Sequence, residues 1–186
     1  MLDRTYKLAL IGACGAGKST CIASVSDIPV ISTEVPLDST AAPFSDQQPA
    51  GKVTMTAAFD YGEMAVGQEG RLLLYGLPGQ QDFAFMFDIV QNGLMGVIAV
   101  VDAEARTPIQ DLLATLCLHK EILSRTPLVV VINKVYPGRG SLVPGVLDAV
   151  ERAGMVAPVV TADLRDRSSV ATVFQLIVTI AEHRHG

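Results

Sequence analysis

Short, uninterrupted runs of apolar residues recur along the chain and predict the strands of a buried sheet. Such runs, rich in leucine and β-branched residues, are typical of parallel strands that are covered on both faces. They occupy residues 8–11, 97–101 and 128–132, and two shorter runs lie at 72–75 and 158–160. We interpret residues 53–61 as an edge strand that a turn at residues 67–70 joins to the run at 72–75.

Between these runs, apolar residues recur at the spacing of amphipathic helices. The clearest helix begins at Thr107, where Pro108 and Gln110 complete a capping-box pattern. Its predicted inner face consists of Ile109, Leu112, Leu113, Leu116, Lys120 and Leu123, with Lys120 as the one polar member. His119 falls outside this face and is expected at the surface.

Two further helices complete the pattern, one ending at Gly154 and the last beginning at Asp166 or Ser168. The last helix places its apolar face on Val170, Val173, Phe174, Ile177 and Ile180. Alternation of strands and helices predicts an α/β fold with a doubly wound, mostly parallel six-stranded sheet and helices on both faces. We expect residues 1–186 to form a single domain.

Residues 27–52 interrupt this alternation. The stretch contains four prolines and shows no clear periodicity over about 26 residues. A loop of that length in a compact domain is usually functional or disordered. Both a functional loop and a solvated linker remain open from the sequence.

Composition narrows the function classes mainly by exclusion. The 186 residues are 49% hydrophobic and 18% charged, which excludes a disordered chain. The formal net charge is −5 and basic residues do not cluster, which argues against binding to nucleic acid or to an anionic membrane surface. Three cysteines without a C-x-x-C pair favour a reduced, cytoplasmic protein. The longest apolar run, residues 94–101, is too short for a transmembrane segment.

Residues 12–20 match the phosphate-binding pattern G-x-x-x-x-G-K-S/T and lie between a predicted buried strand and a helix. Glycines let the backbone approach a ligand closely, so that its N–H groups and the start of the helix can hold phosphate oxygens. We expect Lys18 to reach the β- and γ-phosphates, Ser19 to bind Mg²⁺ and Thr20 to contact the α-phosphate. The predicted nucleotide-binding residues of this loop are Gly12, Gly15, Ala16, Gly17, Lys18, Ser19 and Thr20.

Further motifs follow in a fixed order along the chain. Residues 76–80 (G-L-P-G-Q) end a predicted strand, Asn133-Lys134 ends another, and Thr161-Ala162 follows the last one. Together with the phosphate loop and the segment around Thr56, they resemble the bacterial Ras-like small GTPases of the gliding-motility and actinobacterial conservon types. The resemblance extends from about residue 5 to residue 182.

This resemblance implies a guanine nucleotide switch that binds GTP or GDP with Mg²⁺ and hydrolyses GTP slowly. It implies that Thr56, or alternatively Thr54, ligands Mg²⁺ together with Ser19 when the γ-phosphate is present. By the same resemblance, Gly79 meets the γ-phosphate and Gln80 orients the attacking water, which makes Gln80 and Thr56 the catalytic residues. The loops that contact the ribose and the base would contribute Asn133, Lys134, Thr161 and Ala162.

Three positions depart from the Ras-like pattern. Gly76 replaces the aspartate that usually holds Mg²⁺ through water, which suggests a weaker dependence on the metal. Tyr136 replaces the aspartate that reads guanine, so we expect looser base selection. Met55 stands where some relatives carry a catalytic arginine, so we expect slow hydrolysis. A pseudo-GTPase docking module with a degraded base site and little or no hydrolysis is the alternative.

Residues 83–90 form a segment whose large apolar residues would surround a helix on nearly all sides. The segment follows Gly79 and Gln80 directly, so an apolar docking face next to a nucleotide sensor is one interpretation. A helix buried on two sides is the other. The resemblance implies a roadblock-type (dynein light chain-like) regulatory protein as partner, with membrane recruitment only through partners.

Overall fold

The computed structural model describes residues 4–37, 55–67, 70–77, 85–136 and 140–185. Within these ranges, seven strands form a single sheet in the order β2-β3-β4-β1-β5-β6-β7. The strands are β1 (Arg4–Ile11), β2 (Ile31–Leu37), β3 (Met55–Val66), β4 (Gly70–Gly76), β5 (Leu94–Asp102), β6 (Leu128–Asn133) and β7 (Val159–Thr161). The helices are α1 (Lys18–Val25), α2 (Phe85–Val90), α3 (Pro108–Leu118), α4 (Lys120–Arg125), α5 (Val143–Arg152) and α6 (Arg167–His185).

The sheet is mixed. Strands β4, β1, β5, β6 and β7 run parallel to one another, whereas β3 runs antiparallel to both β2 and β4. The predicted α/β class is therefore confirmed. The predicted six-stranded, doubly wound parallel sheet is not, because seven described strands form a mixed sheet.

The additional strand, β2, lies within the stretch that showed no periodicity. It pairs along its whole length with β3, from Ile31 opposite Tyr61 to Leu37 opposite Met55. In the order of the described strands, β2 therefore takes the edge and β3 lies inside, contrary to the prediction of an edge strand at residues 53–61. Prolines are tolerated in edge strands, so Pro36 does not exclude β2 from the sheet.

Helices cover both faces of the sheet, as predicted. Alternate residues of each central strand point to opposite faces, so Leu8 and Leu10 contribute to one apolar cluster and Ala9 and Ile11 to the other. The first cluster is completed by α1 and α6, and the second by α2, α3, α4 and α5. Both clusters pack on the central strands. Because β1, β5, β6 and β7 are parallel neighbours, their carboxyl ends lie together at one edge of the sheet.

The predicted helix after Thr107 divides into α3 and α4 at His119. On its buried face, His119 takes the place that was predicted for Lys120. His119 is buried and stacks on Phe87 with ring centroids 4.8 Å apart, whereas Lys120 is exposed. The surface position predicted for His119 is therefore wrong. Leu112, Leu116 and Leu123 share a buried helix face with His119, because residues three or four apart lie on the same side.

The helix starts follow local hydrogen bonding. Asp166 caps α6 by accepting hydrogen bonds from the backbone N–H groups of Ser168 (3.3 Å) and Ser169 (3.0 Å), which confirms one of the two predicted caps. At the start of α3, the Thr107 hydroxyl instead donates to the Asp111 carboxylate at 3.0 Å and makes no cap. None of the described helices is both long and apolar enough to span a bilayer.

Helix α2 covers Phe85–Val90 of the apolar segment at residues 83–90. Phe87 and Val90 are buried in the core, whereas Ile89 is 70% exposed. The docking face and the helix buried on two sides both stay predictions. Phe83 lies outside the described residues.

Candidate functional site

The loop between β1 and α1 approaches its neighbours so closely that two of its glycines leave no room for a side chain. A Cβ atom at Gly12 would lie 2.3 Å from the carbonyl oxygen of Val100. A Cβ atom at Gly17 would lie 2.5 Å from Asn133 Nδ2, and the φ angle of Gly17 is +108°. Gly12 and Gly17 of the phosphate-binding pattern are thus required by close packing of the loop, in addition to any role toward a ligand.

Asn133, at the end of β6, links this loop by hydrogen bonds to β6 and to the loop after β7. Its Nδ2 donates to the carbonyl of Ala16 at 2.9 Å, and its Oδ1 accepts from the N–H of Leu164 at 3.2 Å. The side chain is buried. One amide therefore joins the phosphate loop, β6 and the loop after β7.

Lys134 makes a second connection to the same loop. Its Nζ donates to the carbonyl of Gly15 at 2.8 Å and forms an ion pair with Asp102 at 2.6 Å. Asp102, at the end of β5, also accepts from the backbone N–H of Glu104 at 2.9 Å. Asp102 is therefore a turn residue that also holds Lys134.

Lys18 begins α1 and folds back over the phosphate loop. Its Nζ donates to the carbonyls of Gly12 and Ala13, both at 2.9 Å. Burial lowers the pKa of this ammonium group from its ordinary value, and the nearby Cys14 and Asp60 partly counter that effect. The ammonium group thus lies inside the loop, where a phosphate oxygen would be a stronger partner than a neutral carbonyl.

Asp60, on β3, is a buried carboxylate that the sequence analysis did not assign to the site. It accepts hydrogen bonds from the hydroxyls of Ser19 (2.5 Å) and Ser32 (2.7 Å). It stands opposite Gly76 in the antiparallel pair of β3 and β4. A Cβ atom at Gly76 would lie 3.1 Å from the Cβ of Asp60, so the two positions are immediate neighbours in space. The sequence feature that indicates Asp60 is an aspartate inside a predicted strand, paired with Gly76, where the motif lacks its aspartate.

The Ser19 hydroxyl and the Asp60 carboxylate provide the kind of oxygen ligands that Mg²⁺ prefers. Mg²⁺ is usually bound by one or two carboxylates together with substrate phosphates and water, so a single carboxylate beside a phosphate loop fits this ion. No group of three or more His, Cys, Asp or Glu side chains that could hold a metal occurs in the described ranges.

A cavity of about 600 Å³ opens beside the phosphate loop, a volume suited to a small-molecule ligand. Seven of the predicted site residues line it: Gly15, Gly17, Thr20, Asn133, Lys134, Thr161 and Ala162. Gly12, Ala16, Lys18 and Ser19 lie in the same loop but outside the lining of this cavity. That these residues bind a nucleotide stays a prediction.

Six residues that were not predicted as nucleotide contacts line the same cavity, among them Tyr136, Asp163 and Arg165. Arg165 binds the Asp163 carboxylate through Nε (2.9 Å) and Nη2 (2.7 Å), and its backbone N–H adds a bond of 3.0 Å. These hydrogen bonds lower the pKa of the exposed Asp163 carboxyl to about 2. The ion pair is therefore charged at neutral pH.

The two predicted catalytic residues are not placed beside this cavity by the described structure. Thr56 belongs to β3, opposite Pro36 and four residues before Asp60. A strand rises about 3.4 Å per residue, so Thr56 lies roughly 13 Å from Asp60 along β3. Gly79 and Gln80 lie outside the described residues, as does Thr54.

No protein-family model matches the chain, and a search of curated proteins finds no match. Any function assigned to the chain therefore rests on the geometry of the site and on the motifs in the sequence.

We predict that Asn133→Ala lowers the free energy of unfolding by about 1–3 kcal/mol, because it leaves buried polar groups of Ala16 and Leu164 without this partner. Urea denaturation without added nucleotide measures the change. The control Asn92→Ala, at an exposed position, should stay within about 0.5 kcal/mol of the unmodified chain. Equal unfolding free energies for both variants would contradict the role given to Asn133.

Proposed function

We propose that the protein is a guanine nucleotide-binding switch that hydrolyses GTP slowly with the help of Mg²⁺. The observation that carries the proposal is the phosphate loop, closed against Asn133, with the Lys18 ammonium and the Ser19–Asp60 pair beside it. The adjoining cavity of about 600 Å³ has polar side chains along its length, as a nucleoside with a sugar and a base requires. The order of the sequence motifs supports a Ras-like rather than another phosphate-loop protein.

Phosphate binding would use the backbone as well as Lys18. The N–H groups of the loop and of the first turn of α1 can hold phosphate oxygens, and the helix dipole favours negative charge there. On binding, the Lys18 ammonium would exchange two carbonyl partners for charged phosphate oxygens. Because this ammonium group is largely buried, its attraction to phosphate is screened little by water.

We propose that Asp60 takes the role of the aspartate missing at Gly76. The two positions face each other across β3 and β4, and the Asp60 carboxylate already reaches the Ser19 hydroxyl. Ser19 and Asp60 would hold Mg²⁺, which supplies positive charge to the phosphates. This arrangement favours the switch over the pseudo-GTPase alternative, since the loss at Gly76 no longer implies a degraded metal site.

Hydrolysis would use Gln80 to orient the attacking water and Thr56 as a metal ligand while GTP is bound. Both roles rest on the Ras-like resemblance alone. An arginine supplied in cis raises such rates by roughly 10³–10⁵, and the motif places none in this chain. We therefore propose that hydrolysis is slow unless a partner assists it, and the resemblance points to a roadblock-type protein as regulator.

Calorimetric titration with GDP, GTP and ATP, each with and without Mg²⁺, tests the proposal. We expect GDP and GTP to bind, and we expect Lys18→Ala to weaken both by about 2–3 kcal/mol because their phosphates lose a charged partner. The control Lys120→Ala removes an exposed lysine on α4 and should bind like the unmodified chain. Equal affinities for the Lys18 and Lys120 variants would contradict the phosphate-loop assignment.

Asp60→Asn should weaken the binding of Mg²⁺ in the complex with nucleotide. We expect the Mg²⁺ concentration needed for half-maximal effect to rise roughly 10–100-fold, the range for outer-shell metal partners. In EDTA, the variant and the unmodified chain should bind GDP alike. Glu63→Gln serves as the matched control, since Glu63 is a carboxylate of the same strand that pairs with Arg71 instead. An unchanged Mg²⁺ requirement in Asp60→Asn would show that another group holds the metal.

Gln80→Leu should slow single-turnover GTP hydrolysis without changing GTP affinity, because the side chain would act on the attacking water alone. The unmodified chain should hydrolyse GTP at about 10⁻³ s⁻¹ near 25 °C, in the range of unassisted Ras-like proteins. Gln81→Leu, one residue further along, is the control that should keep this rate. A rate near 1 s⁻¹, or one that survives Gln80→Leu, would sink the assigned role.

A further inference from the structure

The cavity beside the phosphate loop has two chemically different ends. Gly15, Gly17 and Thr20 line the end that adjoins the loop. The loops that follow β6 and β7 line the other end, and they leave the sheet side by side because Ile132 and Thr161 are paired in parallel strands. We call the lining residues Tyr136, Asp163 and Arg165 the base end, since a nucleotide with its phosphates on the loop would extend its base toward them.

Of the residues that line the cavity, two carry carboxylates, Asp163 and Glu104. The backbone around Asp163 is fixed on both sides: the N–H of Ala162 donates to the carbonyl of Ile132 at 3.1 Å, and the N–H of Leu164 donates to Asn133 Oδ1 at 3.2 Å. Glu104 has a longer side chain and is exposed in the turn after β5. Asp163 is therefore the better positioned of the two acceptors.

Arg165 orients the Asp163 carboxylate and leaves part of it available. Oδ1 accepts two hydrogen bonds from Arg165, from the backbone N–H and from Nε, while Oδ2 accepts one from Nη2. An ionised carboxylate can accept about four hydrogen bonds, so Oδ2 retains room for one more. Tyr136 lies near enough to contribute to the field at Arg165, which brings all three residues of the base end together.

We propose that Asp163, oriented by Arg165, selects guanine over adenine in this cavity and so replaces the aspartate that Tyr136 displaces. The proposal rests on the proposed function, namely that the cavity holds a nucleotide. Guanine presents two donors on one edge, its N1–H and its 2-amino group, and a carboxylate can accept from either. Adenine presents the lone pair of its N1 at the corresponding position, which a carboxylate repels.

Affinities for GDP, inosine diphosphate, xanthosine diphosphate and ADP test this selection. Inosine lacks the 2-amino donor of guanine, and xanthine carries a carbonyl acceptor in its place. An asparagine at position 163 would keep its carbonyl on the two Arg165 donors that bind Oδ1 and would place its amide NH2 where Oδ2 stands. That amide would donate to the xanthine carbonyl and could no longer accept from a guanine donor. Asp163→Asn should therefore exchange a preference for guanine for a preference for xanthine.

For the unmodified chain, we expect GDP to bind at least about 10-fold more tightly than ADP or xanthosine diphosphate, as one charge-assisted hydrogen bond allows. In Asp163→Asn, GDP affinity should fall roughly 10–100-fold, and the ratio of xanthosine diphosphate to GDP affinity should rise about 100-fold. Arg165→Gln keeps the carboxylate but loses its orientation, so the preference of GDP over ADP should fall by about 3–10-fold.

Two comparison variants separate selection from general binding. Lys18→Ala should weaken all four diphosphates alike and leave their ratios unchanged. Glu104→Gln removes the other carboxylate of the lining and should shift the ratios by less than about 3-fold. Thermal unfolding of each variant without ligand confirms that a changed ratio comes from a folded chain.

The outcomes distinguish this inference from the function on which it rests. If the unmodified chain binds none of the four diphosphates, the proposed function fails and the inference fails with it. If GDP binds tightly but Asp163→Asn keeps the original ratios, the inference alone is overturned. A shift caused by Glu104→Gln instead would also overturn it and identify Glu104 as the reader.

Discussion

The buried amide of Asn133 is the interaction on which the candidate site depends. One side chain donates to the phosphate loop and accepts from the loop after β7, so three segments that are distant in sequence meet at a single group. The amide fits only because Gly17 has no side chain at the point of contact. A buried amide that is satisfied at both ends costs little, whereas the same groups without partners would each be expensive. The walls of the cavity therefore keep their spacing as long as this amide keeps its place.

A second constraint links Asp60 and Gly76 across neighbouring strands. A Cβ atom at Gly76 would lie 3.1 Å from the Cβ of Asp60, closer than side chains usually approach, so a second carboxylate at Gly76 would require one of the two to shift. The same site can thus receive its carboxylate from either strand, β3 or β4. The motif that begins at Gly76 therefore lacks an aspartate, although the Asp60 carboxylate lies beside Ser19.

The sequence predicted best those features that depend on local order. Buried strands and the phosphate loop follow from runs of neighbouring residues, and the structure contains the strands where they were expected. Strand β2 was missed because the stretch around it is rich in proline and Pro36 obscures the alternation of Ile31, Val35 and Leu37 with other residues. Asp60 was missed because its role arises from pairing with a residue sixteen positions away. His119 was misplaced because positions three and four residues after Leu116 both fit the buried face, and Lys120 was assigned to it instead.

The backbone of Lys134 has a consequence for how stable this protein can be. Its φ angle of +59° lies in the left-handed region, and it is the only residue other than glycine with a positive φ in the described ranges. That conformation costs a side-chain-bearing residue roughly 1–2 kcal/mol, which the bonds to Gly15 and Asp102 offset. Strain of this kind persists where the surroundings over-determine it, commonly at functional sites. A glycine at this position would relax the backbone but would remove the ammonium group that bonds to Gly15 and Asp102, so local strain and the hold on the phosphate loop come from the same residue.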